Sequence, residues 1–140
     1  ELGLRYEDIR LCGTLDFFAA HNGFMIYPFV GIWKPKDNSE QALPDYRNWN
    51  YNKDEVAELF TVPLRWLVKA TPRIGTAHIR ITRKSDFPFE LVPHLDPEKD
   101  FHQEYPIYFY QYEDKVIWGM TAAILHSFLE RFGKGLADLA

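Results

Sequence analysis

Acidic side chains crowd one short stretch of this sequence: Asp54, Glu55 and Glu58 follow Asn52 and Lys53, where a long polar segment gives way to an apolar one. Carboxylates brought together at a rim are the usual ligands of hard divalent cations, and loops positioned by a scaffold carry a large share of catalytic and binding groups. If residues 55 to 62 form a strand, Glu55 and Glu58 lie on opposite faces, so at most one of them points at a common metal. Of these acids Glu55, placed where the loop enters the strand, is the one at the rim. Glu58 reads as a solvated strand carboxylate and Asp54 as a turn residue. Solvation is the ordinary state of a glutamate and is the competing reading for Glu55 as well.

Other residue types form no reactive constellation along the chain. His21, His78, His94, His102 and His126 show neither an i,i+4 pair nor zinc-like spacing, and are expected on loops or on a helix surface. Cys12, the single cysteine, falls in the middle of an alternating segment without a nearby base and is expected to serve packing rather than nucleophilic chemistry. Trp49, Tyr51 and Trp66 could stack a base or line a groove, although aromatic residues more often belong to a core. Gly31, Gly119 and the glycines after Phe132 make no phosphate-cradling loop.

The elements that must position these residues follow from periodicity. Glu1 to Leu4 suits the last turn of a helix, with Gly3 able to take the left-handed conformation at its end. Alternation from Ile9 predicts a half-buried strand, His21-Asn22-Gly23 supplies a turn, and Phe24 to Trp33 reads as a strand buried on both faces and bulged or near an edge at Pro28. Together these predict a hairpin over 9–33. Lys34 to Lys53 is a long loop. Glu55 to Val62 predicts a strand, Pro63 opens a short helix over 64–68, and Thr76 to Thr82 predicts a weaker strand. Ser85 to Gln103, with Pro88, Pro93 and Pro97, is an exposed excursion. Tyr105 to Tyr112 and Lys115 to Trp118 predict paired strands about a Glu113-Asp114 turn. Met120, Ile124, Phe128 and Phe132 form one stripe of an amphipathic helix over 121–132, stopped by Gly133 and Gly135 and docked on the aromatic strands.

Four segments, in order, resemble the Nudix hydrolase family and within it the coenzyme A diphosphatases. Glu1-Leu2-Gly3-Leu4 matches the last four positions of the Nudix box, Gly-x5-Glu-x7-Arg-Glu-apolar-x-Glu-Glu-x-Gly-apolar. Gly23 to Trp33, with Pro28-Phe29-Val30-Gly31, is similar to the strand after the box. Asn52-Lys53-Asp54-Glu55-Val56-Ala57-Glu58 with Val62-Pro63-Leu64, and Ile117-Trp118-Gly119-Met120-Thr121-Ala122, are similar to two further subfamily patterns. The segments 34–51 and 73–103 are longer than the resemblance leads one to expect.

The resemblance implies an α+β fold: a Nudix-type α/β/α sandwich with a mixed sheet, here a single partial domain over 1–140 that lacks the N-terminal strands and most of the metal-binding helix. It implies a pyrophosphohydrolase that uses Mg2+ or Mn2+ to cleave the diphosphate of coenzyme A or a related nucleoside diphosphate derivative. Glu1 carries over as a metal ligand from the last Glu of the box, with a solvated chain-end glutamate as the competing reading. Since the family often places a further acidic residue outside the box beside the metals, the resemblance implies Glu55 as a second ligand and catalytic residue. The other box carboxylates are absent from these 140 residues, so the chain alone is expected to be inactive. ADP-ribose or a nucleotide sugar is an alternative substrate, and a non-catalytic nucleotide-binding module is an alternative function.

Composition bounds the rest. With 46% hydrophobic and 26% charged residues the chain can build a core. A net charge of −4 and the lack of a dense basic run argue against a nucleic-acid partner. No window approaches the roughly 18 apolar residues of a membrane span. The expected setting is cytoplasmic and the expected partner a small nucleotide, while an apolar side left uncovered would favour a homodimer.

Overall fold

The computed structural model describes residues 1–20, 23–34, 46 and 49–137. Helices and antiparallel sheets make this an α+β chain, and it divides into two compact units, residues 1–69 with 127–140 and residues 70–126. All strand pairs among the described residues are antiparallel, and none of them supplies a parallel pair of the mixed sheet expected of the complete sandwich.

In the first unit a hairpin is built from β1 (Ile9–Thr14), β2 (Phe18–Ala19), β3 (Met25–Ile26) and β4 (Phe29–Trp33). β1 pairs with β4 and β2 with β3, and the register shifts between Leu11 and Gly13. The extended run breaks at Tyr27-Pro28, where proline has no N–H for a ladder. Backbone bonds from Gly23 to Ala20 (2.9 Å) and from Ala20 to Phe24 (2.8 Å) close the hairpin end, whose predicted turn residues His21 and Asn22 lie outside the described residues.

The predicted hairpin is therefore present, but its predicted burial is not. Every residue of β1 is exposed, and in the segment expected to be buried on both faces Phe24, Met25, Tyr27, Phe29 and Ile32 are exposed too. A two-stranded ladder satisfies backbone groups without supplying a layer to cover either face.

Between the hairpin and the second unit, most of the predicted 34–53 loop lies outside the described residues. Residues 55–62, predicted as a strand, form none. The reason is local: Asn52 draws the backbone into a turn, its carbonyl accepting from Glu55 (3.3 Å) and Val56 (2.9 Å) and its side-chain Oδ1 accepting from the Asp54 N–H (3.1 Å). Side chains of this type compete with extended ladders in just this way. The short helix α1 (Leu64–Leu67) follows, with Pro63 at the cap rather than at the first helical position.

The second unit is a three-stranded sheet in the order β5-β6-β7, from β5 (Arg73–Ile81), β6 (Phe101–Tyr112) and β7 (Lys115–Trp118). β5 is longer at its start than predicted, and β6 begins inside the segment expected to be an excursion. Full pairing of Arg73 with Phe109 through Ile81 with Phe101 extends both strands beyond what their own alternation suggests. Arg80 holds the far end by binding the Asp100 carboxylate (Nε to Oδ2, 2.6 Å), and Arg83 donates to the Lys99 carbonyl (2.8 Å). The β6–β7 turn is Glu113-Asp114 as predicted, with Glu113 at φ 54°. Lys115, 3.0 Å from Asp114, holds that carboxyl below its usual range through hydrogen bonding and charge.

Gly119, at φ 64°, turns the chain directly from β7 into α2 (Gly119–Ala137), a reversal that suits glycine. Gly133 and Gly135 do not stop this helix. Neither takes a positive φ, so each remains an interior helical residue at a cost of about 1 kcal/mol relative to alanine. The first half of α2 meets β6, but not through the predicted stripe: Ala122 is fully buried, Tyr110 is 2% exposed, and the Tyr110 hydroxyl lies 2.9 Å from His126 Nδ1, whereas Phe132 of the stripe is exposed and the two aromatic strand regions form separate sheets. The His126 ring stacks on Tyr108 with centroids 4.0 Å apart. His126, expected on a helix surface, is thus part of the helix–sheet contact. No helix among the described residues is long and apolar enough to cross a membrane.

Candidate functional site

The backbones of the two glutamates chosen from the sequence are both bonded to Asn52, in the first unit. Glu1 is exposed, and its carbonyl accepts the Asn52 N–H at 2.8 Å. Glu55 is also exposed, three residues further on, and its N–H closes the turn onto the Asn52 carbonyl. Asn52 therefore ties the backbone of one candidate ligand to that of the other. Its role was not predicted, although Asn two residues before Asp54 is the sequence signature of such a side-chain-closed turn.

Residues 1–4 are not the helical turn expected of them, yet Gly3 has the predicted left-handed conformation at φ 64°. A second constraint acts there. A β-carbon at position 3 would fall 2.1 Å from the Asn50 carbonyl oxygen, so glycine is required both for the backbone angle and for the close approach of the two segments. Residues 1–3 approach residues 50–55 at Gly3, and the backbone bond from Asn52 to Glu1 holds them there.

Nearby acids are occupied differently. Arg5 binds Asp8 through its Nη2 (3.2 Å) and its backbone N–H (3.1 Å), and its Nε lies 3.7 Å from Glu7. The hydrogen bond and charge of Asp8, followed by the charge of Glu7, hold the Arg5 guanidinium above its ordinary pKa. Among the described residues neither Glu1 nor Glu55 has such a cation. Glu58 is exposed; the loss of the predicted strand removes the argument that it and Glu55 face opposite ways. Asp54 is the turn residue expected of it.

Among the described residues no three His, Cys, Asp or Glu side chains converge as a metal-binding group.

The remaining candidates separate cleanly. Cys12 is exposed rather than packed, its thiol 3.5 Å from the Arg10 carbonyl. Trp49 is half-buried with its ring 6.3 Å from that of Trp33, which favours the packing reading, and Tyr51 and Trp66 are likewise half-buried. His94 is exposed on a loop as expected, and His21 lies outside the described residues. His78 and His102, far apart in sequence, are neighbours with ring centroids 6.3 Å apart.

No family model matches the chain, and no solved structure matches it. Curated relatives do. The chain is 24% identical over 131 residues, 94% of its own length and 54% of the relative's, to a protein of Photorhabdus laumondii named "Uncharacterized Nudix hydrolase NudL". Proteins of the same name from Pectobacterium atrosepticum and Citrobacter koseri are 27% and 25% identical, covering 90% and 95% of the chain and 50% and 54% of the relatives. Along most of its length the chain is similar to proteins named Nudix hydrolases, and it spans about half the length of the curated relatives it matches.

Proposed function

We propose that this chain contributes to a Nudix pyrophosphohydrolase that cleaves the diphosphate of coenzyme A or a related nucleoside diphosphate derivative with Mg2+ or Mn2+, in a cytoplasmic setting. The observation that supports the reading is the Asn52 turn, which ties the Glu1 backbone to the turn that carries Glu55 although 54 positions separate the two. Similarity to proteins named Nudix hydrolases supports the reaction class. The coenzyme A assignment rests on the resemblance of residues 52–64 and 117–122 to the diphosphatase patterns.

In this reading Glu1 and Glu55 hold the cation, and a divalent ion, when bound, neutralises charge on the diphosphate oxygens and lowers the pKa of an attacking water. The chain's own part is positional. Gly3 permits the close approach, Asn52 pins the two backbones, and solvent access at both glutamates leaves room for a phosphate-bearing substrate.

The test uses a polypeptide of the relatives' length that contains this chain, assayed for Mg2+-dependent coenzyme A cleavage. Glu55→Gln should lower kcat by about a hundredfold, the scale of several kcal/mol expected from metal-assisted charge stabilisation. Glu58→Gln should stay within about threefold of the parent, as surface changes usually do. Equal, parent-like rates for both would remove the Asn52 turn from the metal site.

A further inference from the structure

We infer that His78 and His102 form a two-imidazole binding site for a nitrogen-preferring divalent metal ion of the Zn2+ or Cu2+ type on the β5–β6 sheet. The register pairs His78 with Glu104 and Arg80 with His102, which makes the two histidines diagonal neighbours on one face. Diagonal positions on an antiparallel pair are close enough for long or aromatic side chains to meet, and here the ring centroids are 6.3 Å apart with planes at 72°. Two imidazole nitrogens at about 2.0–2.1 Å from one ion place their ring centroids on the order of 5–6 Å apart. A small turn of either ring closes the difference, and both side chains are exposed and able to make it.

The surrounding charge favours a cation. Glu104 stands directly across from His78, while Arg80, across from His102, is held by the Asp100 carboxylate and so is largely neutralised. His126 of α2 reaches this face at Tyr108 and Tyr110, leaving His78, His102 and Glu104 open to solvent further along it. Two nitrogen ligands with water completing the shell suit ions toward the Cu2+ and Zn2+ end of the affinity order, and suit Mg2+ poorly. This site lies in the second unit and is independent of the Glu1 and Glu55 reading.

The experiment is a calorimetric titration of Zn2+ into the 140-residue chain at about pH 7.5, repeated at about pH 5.5, where protons compete for imidazole. Saturable binding at the higher pH should weaken at the lower. His78→Ala and His102→Ala should each reduce affinity by about tenfold or more, since a direct ligand is worth at least as much as the outer partners whose loss costs that factor. His94→Ala, at an exposed loop histidine, should leave it unchanged. Thermal unfolding without metal should be the same for all three variants, separating a lost ligand from a lost fold. Zn2+ affinity that survives the double variant His78→Ala/His102→Ala, or a titration that does not saturate below millimolar Zn2+, would overturn the site.

Discussion

The hairpin of β1 to β4 and the sheet of β5 to β7 are written in similar sequence, rich in aromatic and β-branched residues with local alternation, yet they end in different environments. On β6, Tyr110 is 2% exposed where His126 of α2 meets it, and Ala122 of the same helix is fully buried. On the hairpin, Leu11 is 51% exposed and Tyr27 and Phe29 are each 63% exposed. Alternation states which side chains share a face of a strand; a covering element determines whether that face leaves water. The β6 face has one because Gly119 turns the chain straight from the sheet into the helix that returns across it.

That contrast can be broken most forcefully at Ala122. Ala122→Asp puts a carboxylate into a fully buried position, and should destabilise the fold by about 3 kcal/mol or more in urea denaturation, as unpaired buried charges do. A loss under about 1 kcal/mol would show that α2 does not seal the sheet. Gly3→Ala should come next. The left-handed backbone alone disfavours alanine by about 1–2 kcal/mol, and the Asn50 carbonyl blocks the added carbon. The outcome to measure is hydrogen exchange at the Asn52 amide, which binds the Glu1 carbonyl: its protection should fall by about tenfold or more. Unchanged protection would separate the two candidate ligands. Leu11→Ser on the exposed hairpin should have the smallest effect, within about 0.5 kcal/mol as at other surface positions. A loss of several kcal/mol there would show that the hairpin face is covered in solution.

The hairpin over 9–33, an irregularity at Pro28, the Glu113-Asp114 turn and the existence of the final helix were legible because each depends on local residue chemistry or periodicity. The face by which that helix meets β6, through Ala122 and His126, is not the apolar stripe the sequence displays. The strand predicted over 55–62 fails for an equally local reason: one asparagine bonds three following N–H groups and bends the chain before a ladder can form. The helix stop predicted at Gly133 fails because glycine ends a helix only when it takes a left-handed angle, and nothing at that position demands one. At the candidate site, Glu1 and Glu55 were chosen by residue type, and Asn52 was not legible as the residue to which both backbones are bonded. That link is a bond between backbone groups, which residue type does not encode.

The sequence by itself determined the antiparallel hairpins, the left-handed glycine at position 3 and the apolar stripe of α2, since backbone sterics and short-range periodicity settle each of these. Tertiary structure alone decided which strand faces leave water, that His126 joins the helix to the sheet instead of facing solvent, and that His78 and His102 stand side by side. Those outcomes depend on strand register and on which element crosses which face. Register joins residues distant along the chain, and a shift of one position would move every side chain of a strand to its other face.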